Sequence, residues 1–271
     1  MPGHRREYDG ISFYAKGSQY MAVCEIHFNS DNALERMVSV NVILPETGTG
    51  PFPVYYLLHG LSDDHTAWQR RTSVERYAEN LPLIIVMPNS GRGFYTDSAL
   101  NPKDKYETFV TRDLIQRVDT LFRTIPTREG RAIGGLSMGG YGAVKLALKH
   151  PDLYSAAVSH SGVLAMITHN VQSQEPWARE FADLFGPNAI GGPNDVHTLA
   201  EKSDPATRPA LWIDCGTEDF LFNQNEEMHA YFQTLGIAHE YFTMPGDHNW
   251  AFWDQQIQEA LPWVAKNLGI G

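Results

Sequence analysis

Cysteine is nearly absent from this chain of 271 residues: Cys24 and Cys215 are the only two. Two thiols cannot form a disulfide framework, so both read as reduced cysteines of a cytoplasmic protein. No apolar run approaches the ~18 residues of a membrane-spanning helix, which excludes one. Positive charge is also scarce. Lys and Arg number 21 against 32 Asp and Glu, a net charge of −11. A surface of that sign argues against nucleic acid as the main partner, and against docking on anionic lipid. Internal repeats and low-complexity tracts are missing. With 42% hydrophobic and 20% charged residues the composition is that of a globular chain, not a disordered or fibrous one. Arg5-Arg6 could open a twin-arginine signal, but Glu7-Tyr8-Asp9-Gly10 is too polar for the apolar region that must follow. Residues 1–20 therefore read as an N-terminal extension, with Met21 as an alternative start, and residues 21–271 as a single domain.

What the chain does have is short apolar runs alternating with helical stripes. Ala22 to Phe28 and Val38 to Leu44 alternate in polarity, with Val38, Val40, Val42 and Leu44 on one face. That is the period of a half-buried antiparallel pair. Glu46 to Pro53 is a glycine- and proline-rich turn. Val54 to Leu58, Leu83 to Met87, Arg131 to Gly134, Ala156 to Ser159 and Ala210 to Asp214 are mostly apolar throughout, like strands covered on both faces. Tyr241 to Met244 fits as one more. Between them, Phe109, Val110, Leu114, Val118, Leu121 and Phe122 form a helical stripe, and Tyr141 to His150, Asn223 to Leu235 and Phe252 to Leu268 read as helices. Thr72-Ser-Val-Glu75 fits a capping box. Strands alternating with helices imply a mostly parallel central sheet flanked by helices. The stretch 162–205 is long for a crossover and reads as a small cap insertion over the sheet edge.

Gly135-Leu-Ser137-Met-Gly139 matches G-x-S-x-G, with a strand-like run before it and a helical one after. That setting is what a nucleophile elbow needs in an α/β-hydrolase fold. The serine sits on a very tight turn, and the glycines let neighbouring backbone pass without a Cβ clash. A serine hydroxyl needs a base, which this fold supplies late in the chain, in the order Ser, acid, His. His248, in Pro245-Gly-Asp-His-Asn-Trp250, lies in a loop after the Tyr241 strand and fits best. His239 at a strand start and His229 within a helix fit worse. For the acid, Asp214, Glu218 and Asp219 all follow or end the Ala210 strand. Asp219, one turn past the strand end, is favoured, with Glu218 as the alternative. Asp247 reads as a loop-stabilising residue. The oxyanion hole needs two backbone donors. Met138, after the nucleophile, and Leu61, in Leu58-His-Gly-Leu61, are the expected pair.

Leu-Leu-His-Gly-Leu, Gly-Leu-Ser-Met-Gly-Gly-Tyr-Gly-Ala, Cys-Gly-Thr-Glu-Asp-Phe-Leu and Gly-Asp-His-Asn-Trp together resemble the esterase D group of α/β-hydrolases, and within it the tributyrin-esterase-like carboxylesterases. The likeness covers about residues 21–268. It implies hydrolysis of short-chain acyl esters through an acyl-serine, with no metal and no organic cofactor. S-formylglutathione hydrolases, feruloyl and acetylxylan esterases and mycolyltransferases share the pattern, so a glutathione thioester or a carbohydrate ester is the alternative substrate. The implied partner is a small ester; a homo-oligomer is compatible with the sequence but not demanded by it.

Weaker features remain. Asp63-Asp64-His65 could suggest a metal site, but consecutive residues seldom point at one ion, and a solvated loop is the better reading. Trp68, Phe94 and Tyr95 are candidate pocket walls, and His160 either lines the site or is structural. Trp177, Phe181 and Phe185 fall at helical spacing in the cap. Cys215 reads as a small core filler.

Overall fold

The short apolar runs pair into one eight-stranded sheet of order β1-β2-β4-β3-β5-β6-β7-β8. The computed structural model describes residues 22–170 and 178–271; the N-terminal extension and Trp177 lie outside them. Strands β1 (Ala22–Ser30) and β2 (Arg36–Leu44) pair antiparallel, and β2 is antiparallel to β4 (Ile84–Pro88). The strands β3 (Val54–Leu58), β4, β5 (Arg131–Leu136), β6 (Ala156–His160), β7 (Ala210–Gly216) and β8 (Glu240–Met244) run parallel. β3, β4, β5 and β6 are buried along their whole length, as their mostly apolar sequences lead one to expect.

Helices cover both faces. α1 (Ala67–Arg71) and α2 (Val74–Ala78) follow β3. After β4 come α3 (Tyr106–Thr108), a π-helical stretch (Phe109–Asp113) and α4 (Leu114–Leu121). α5 (Met138–Lys149) follows β5; α6 (Met166–Asn170), α7 (Ala178–Phe185) and α8 (Val196–Lys202) separate β6 from β7. α9 (Phe222–Thr234) and α10 (Trp250–Asn267) complete the chain of elements. Alternation along each strand divides the interior into two cores. Val54, Tyr56 and Leu58 pack with α4, α5 and α9. Tyr55 and Leu57 pack with α1, α2 and α10. The expected capping box is not formed. Thr72 Oγ1 accepts from Val74 N–H, while Glu75 is drawn aside by Gln69 Nε2 at 2.8 Å. Ser73 N–H instead donates to Asp254 on α10, so tertiary packing replaces the local cap.

Candidate active site

Every sequence-identified site residue leaves the carboxyl end of a parallel strand or the helix that follows it. Ser137 stands between β5 and α5 with φ 52° and ψ −113°. Its N–H donates to His160 O at 2.9 Å. The two motif glycines are required by close approach. A Cβ on Gly135 would lie 2.6 Å from Leu58 O, and one on Gly139 would lie 2.5 Å from the same oxygen. Only glycine lets α5 start this close to β3.

His248 Nε2 lies 3.0 Å from Ser137 Oγ, and His248 Nδ1 lies 2.8 Å from Asp219 Oδ2. Asp219 is buried, and its other oxygen accepts from Leu221 N–H at 2.8 Å. Burial alone would raise its carboxyl, but the bonds from His248 and the Leu221 N–H outweigh burial and hold it below the usual carboxylate range. The other acids are engaged elsewhere. Asp214 Oδ2 binds His160 Nδ1 and Trp212 Nε1, each at 2.7 Å, deep behind the elbow. Glu218 is exposed, accepts from Gly246 N–H, and so ties the acid loop to the His248 loop. Asp247 accepts from the His248 N–H at 2.7 Å, as a loop-stabilising residue would.

Leu61 and Met138 belong to segments leaving adjacent strands at one level, because Leu58 pairs with Gly135. Met138 opens α5, and Leu61 lies on the turn after β3. His59 fixes that turn. Its Nδ1–H donates to Gly60 O at 2.7 Å, its Nε2 accepts from Ser90 N–H at 3.0 Å, and its carbonyl accepts from Tyr95 OH at 2.9 Å. Burial pulls this imidazole below its usual pKa despite the Gly60 bond, which favours the neutral tautomer the contacts need.

The expected pocket residues divide. Trp68 is buried, with its indole N–H on Leu58 O at 2.9 Å, so it packs the core and presents no surface to a ligand. Tyr95 is equally buried, and His160 is the buried partner of Asp214. Phe94 does reach a recess of about 50 Å³, shared with Leu61, Arg92, Glu180, Phe181 and Leu184. Phe181 and Phe185 of α7 pack on Phe94 at centroid distances of 6.0 and 6.1 Å. A wider cleft of about 640 Å³ shares Arg92, Glu180 and Leu184 with that recess. Arg92 grips Glu180 with two bonds, 2.7 and 2.8 Å, and reaches Ser62 Oγ at 3.2 Å. Sequence reading missed this pair, because nothing in the order of residues links position 92 to 180. It also missed Phe220 and Trp253, whose rings lie 4.6 and 4.9 Å from the His248 imidazole. The Asp63–His65 stretch is a turn: Asp64 Oδ1 caps Thr66 N–H at 2.9 Å, and His65 faces Glu25.

Comparison with known proteins follows the same pattern. The model of the Esterase family matches residues 31–264. An acetyl esterase of Caldicellulosiruptor saccharolyticus is 26% identical over 269 residues, covering 91% of this chain and 99% of its own. A fluorophosphonate-binding serine hydrolase of Staphylococcus aureus, solved with substrate bound, is 29% identical with a TM-score of 0.81, covering 90% of this chain and 98% of that one. An S-formylglutathione hydrolase from the same organism is 29% identical with a TM-score of 0.78, covering 90% and 99%.

Proposed function

This chain belongs to the Esterase family, has the α/β-hydrolase fold and is a serine hydrolase of carboxylic esters; from that premise we propose that Ser137, His248 and Asp219 act as its triad on short acyl groups. Ser137 Oγ attacks the ester carbonyl while His248 Nε2 takes its proton. The same proton then goes to the departing alcohol, leaving an acyl-serine that water hydrolyses by the reverse sequence. Asp219 holds the imidazole tautomer and stabilises the imidazolium. The N–H groups of Leu61 and Met138 receive the oxyanion, worth about 3–4 kcal/mol per donor in comparable sites. This chemistry assigns no role to a metal or an organic cofactor.

The observation that carries the reading is the unbroken hydrogen-bonded line from Asp219 through His248 to Ser137. The short-acyl preference rests on the recess of about 50 Å³ beside Leu61 and Phe94. Each methylene gains about 0.8 kcal/mol until such a space is full, after which further carbons must be forced in. Acetyl to butyryl esters are therefore expected to be best. No helix among the described residues is long and apolar enough to cross a membrane. The reading assigns the enzyme to the cytoplasm, supported by the free thiols of Cys24 and Cys215. It takes residues 21–271 as one domain with the cap at about 162–205.

The test is a set of single and double variants assayed on p-nitrophenyl butyrate. S137A and H248A should each lower kcat by several orders of magnitude, and the double variant little further, because the residues act as a unit. D219N should be severe, and E218Q mild. Near-normal activity in D219N, with loss in E218Q, would reverse the choice of acid. S-formylglutathione assayed in parallel measures the thioester alternative.

A further inference from the structure

Phe220 follows the proposed acid directly, yet its side chain does not join the core. It is 72% exposed, while its ring centroid lies only 4.6 Å from that of the His248 imidazole. The other aromatic on this histidine behaves differently. Trp253 is buried, meets the imidazole edge-on at 4.9 Å, and donates its indole N–H to Ser161 Oγ at 3.3 Å. Trp253 thus belongs to the scaffold, and Phe220 offers most of its ring to whatever enters.

The position has a chemical consequence, which rests on the proposed triad. The departing alcohol must lie at His248 Nε2, since that nitrogen returns the proton. A ring this close to the imidazole borders the substituent on that oxygen. The acyl recess is built from other segments, Leu61, Phe94 and α7. Charge narrows the choice further. Glu218 and Asp247, both exposed, stand on the two loops that carry Phe220 and His248. Their carboxylates disfavour an anionic alcohol and leave a neutral one unaffected. We infer that Phe220 is the platform of an alcohol-side subsite for uncharged, ring-bearing alcohols, making short-acyl esters of arylalkyl alcohols the preferred substrate class. In that reaction the Ser137 Oγ–acyl bond forms and the acyl–alkoxy bond breaks. The His248 proton goes to the arylalkyl alcohol.

The experiment compares kcat/KM for 2-phenylethyl acetate and ethyl acetate, two primary-alcohol esters with one acyl group. The wild type should prefer the phenylethyl ester. F220A should lower the phenylethyl-to-ethyl ratio about tenfold, chiefly through KM, the size of one lost aromatic contact with its buried area. F220W should keep the ratio within threefold, which guards against a mere folding defect in F220A. An unchanged ratio in F220A overturns the subsite. So does an equal loss on both esters with a displaced pH profile, because the ring would then serve only to pack His248. Failure of the triad reading looks different: the wild type would turn over neither acetate, and Ser137 would resist a fluorophosphonate label.

Discussion

Ser62, Phe94, Tyr95, Ser137 and Ser161 each hold a positive φ without being glycine. Conformations of this kind cost about 1–3 kcal/mol each and survive only where the surroundings over-determine them. Here they do. Tyr95 is anchored through its hydroxyl to His59 O, and the Ser161 N–H is held by Asp214 O at 2.7 Å. His59 is the pivot of this strained ring of loops, and it carries a pH dependence. An exposed imidazole titrates near pH ~6.5, and burial places this one lower. Between those two values the unfolded chain binds more protons, so stability rises with pH across that window and falls as the pH drops below about 6.5. The urea midpoint should therefore fall between pH 7.5 and 5.5, and H59Q should flatten that fall. Equal slopes in both proteins would remove His59 as the cause. At this scale motif and chain order point to Ser137 and His248, and the structure brings the two side chains within 3.0 Å of each other. Asp219 is favoured over Glu218 in the sequence only by its place one turn past the strand end, since adjacent residues share most cues. The turn that bonds Asp219 N–H to Gly216 O directs the choice.

Elements were legible where burial dictates composition. Val54–Leu58 appears with the expected limits, because a strand covered on both faces selects a run of large, mostly apolar side chains that stands out in sequence. The start of α5 shifted, since the elbow starts its helix at Met138, among glycines that carry no helical signal, and β7 runs on to Gly216, where it still pairs with Met244 of β8. The relation of α7 to the sheet could not be read at all. Its contacts include the Arg92–Glu180 pair, the Phe94 cluster and the Ala99 and Leu100 N–H groups on Leu184 O and Asp183 O, all long-range. That pair stands between the small recess and the wider cleft. Its side chains are 47% and 44% exposed, so it stabilises the fold by at most about 1 kcal/mol. Its effect on substrate choice should be larger. E180Q is expected to keep the melting temperature within a few degrees. Joining the recess to the cleft should raise the octanoate-to-butyrate ratio of kcat/KM by about threefold to tenfold. A chain-length series of p-nitrophenyl esters measures this, and an unaltered ratio would show that the ion pair does not set the limit between recess and cleft.

Across the whole molecule, the apolar composition foretold a large interior, and the structure divides it into two cores by strand alternation. What composition could not foretell is how far apart in sequence the working groups lie. The Ser137–His248 bond joins positions 111 residues apart, whereas α5 and its preceding strand form locally. Contacts that close long loops form late in folding, because their entropy must be lost before they reward the chain. Enzymatic competence is thus a late event in refolding, distinct from the return of secondary structure. After dilution from urea, far-UV circular dichroism should recover first, with fluorophosphonate reactivity of Ser137 lagging behind it; recovery of both at one rate would mean that the line from Asp219 to Ser137 closes together with the sheet.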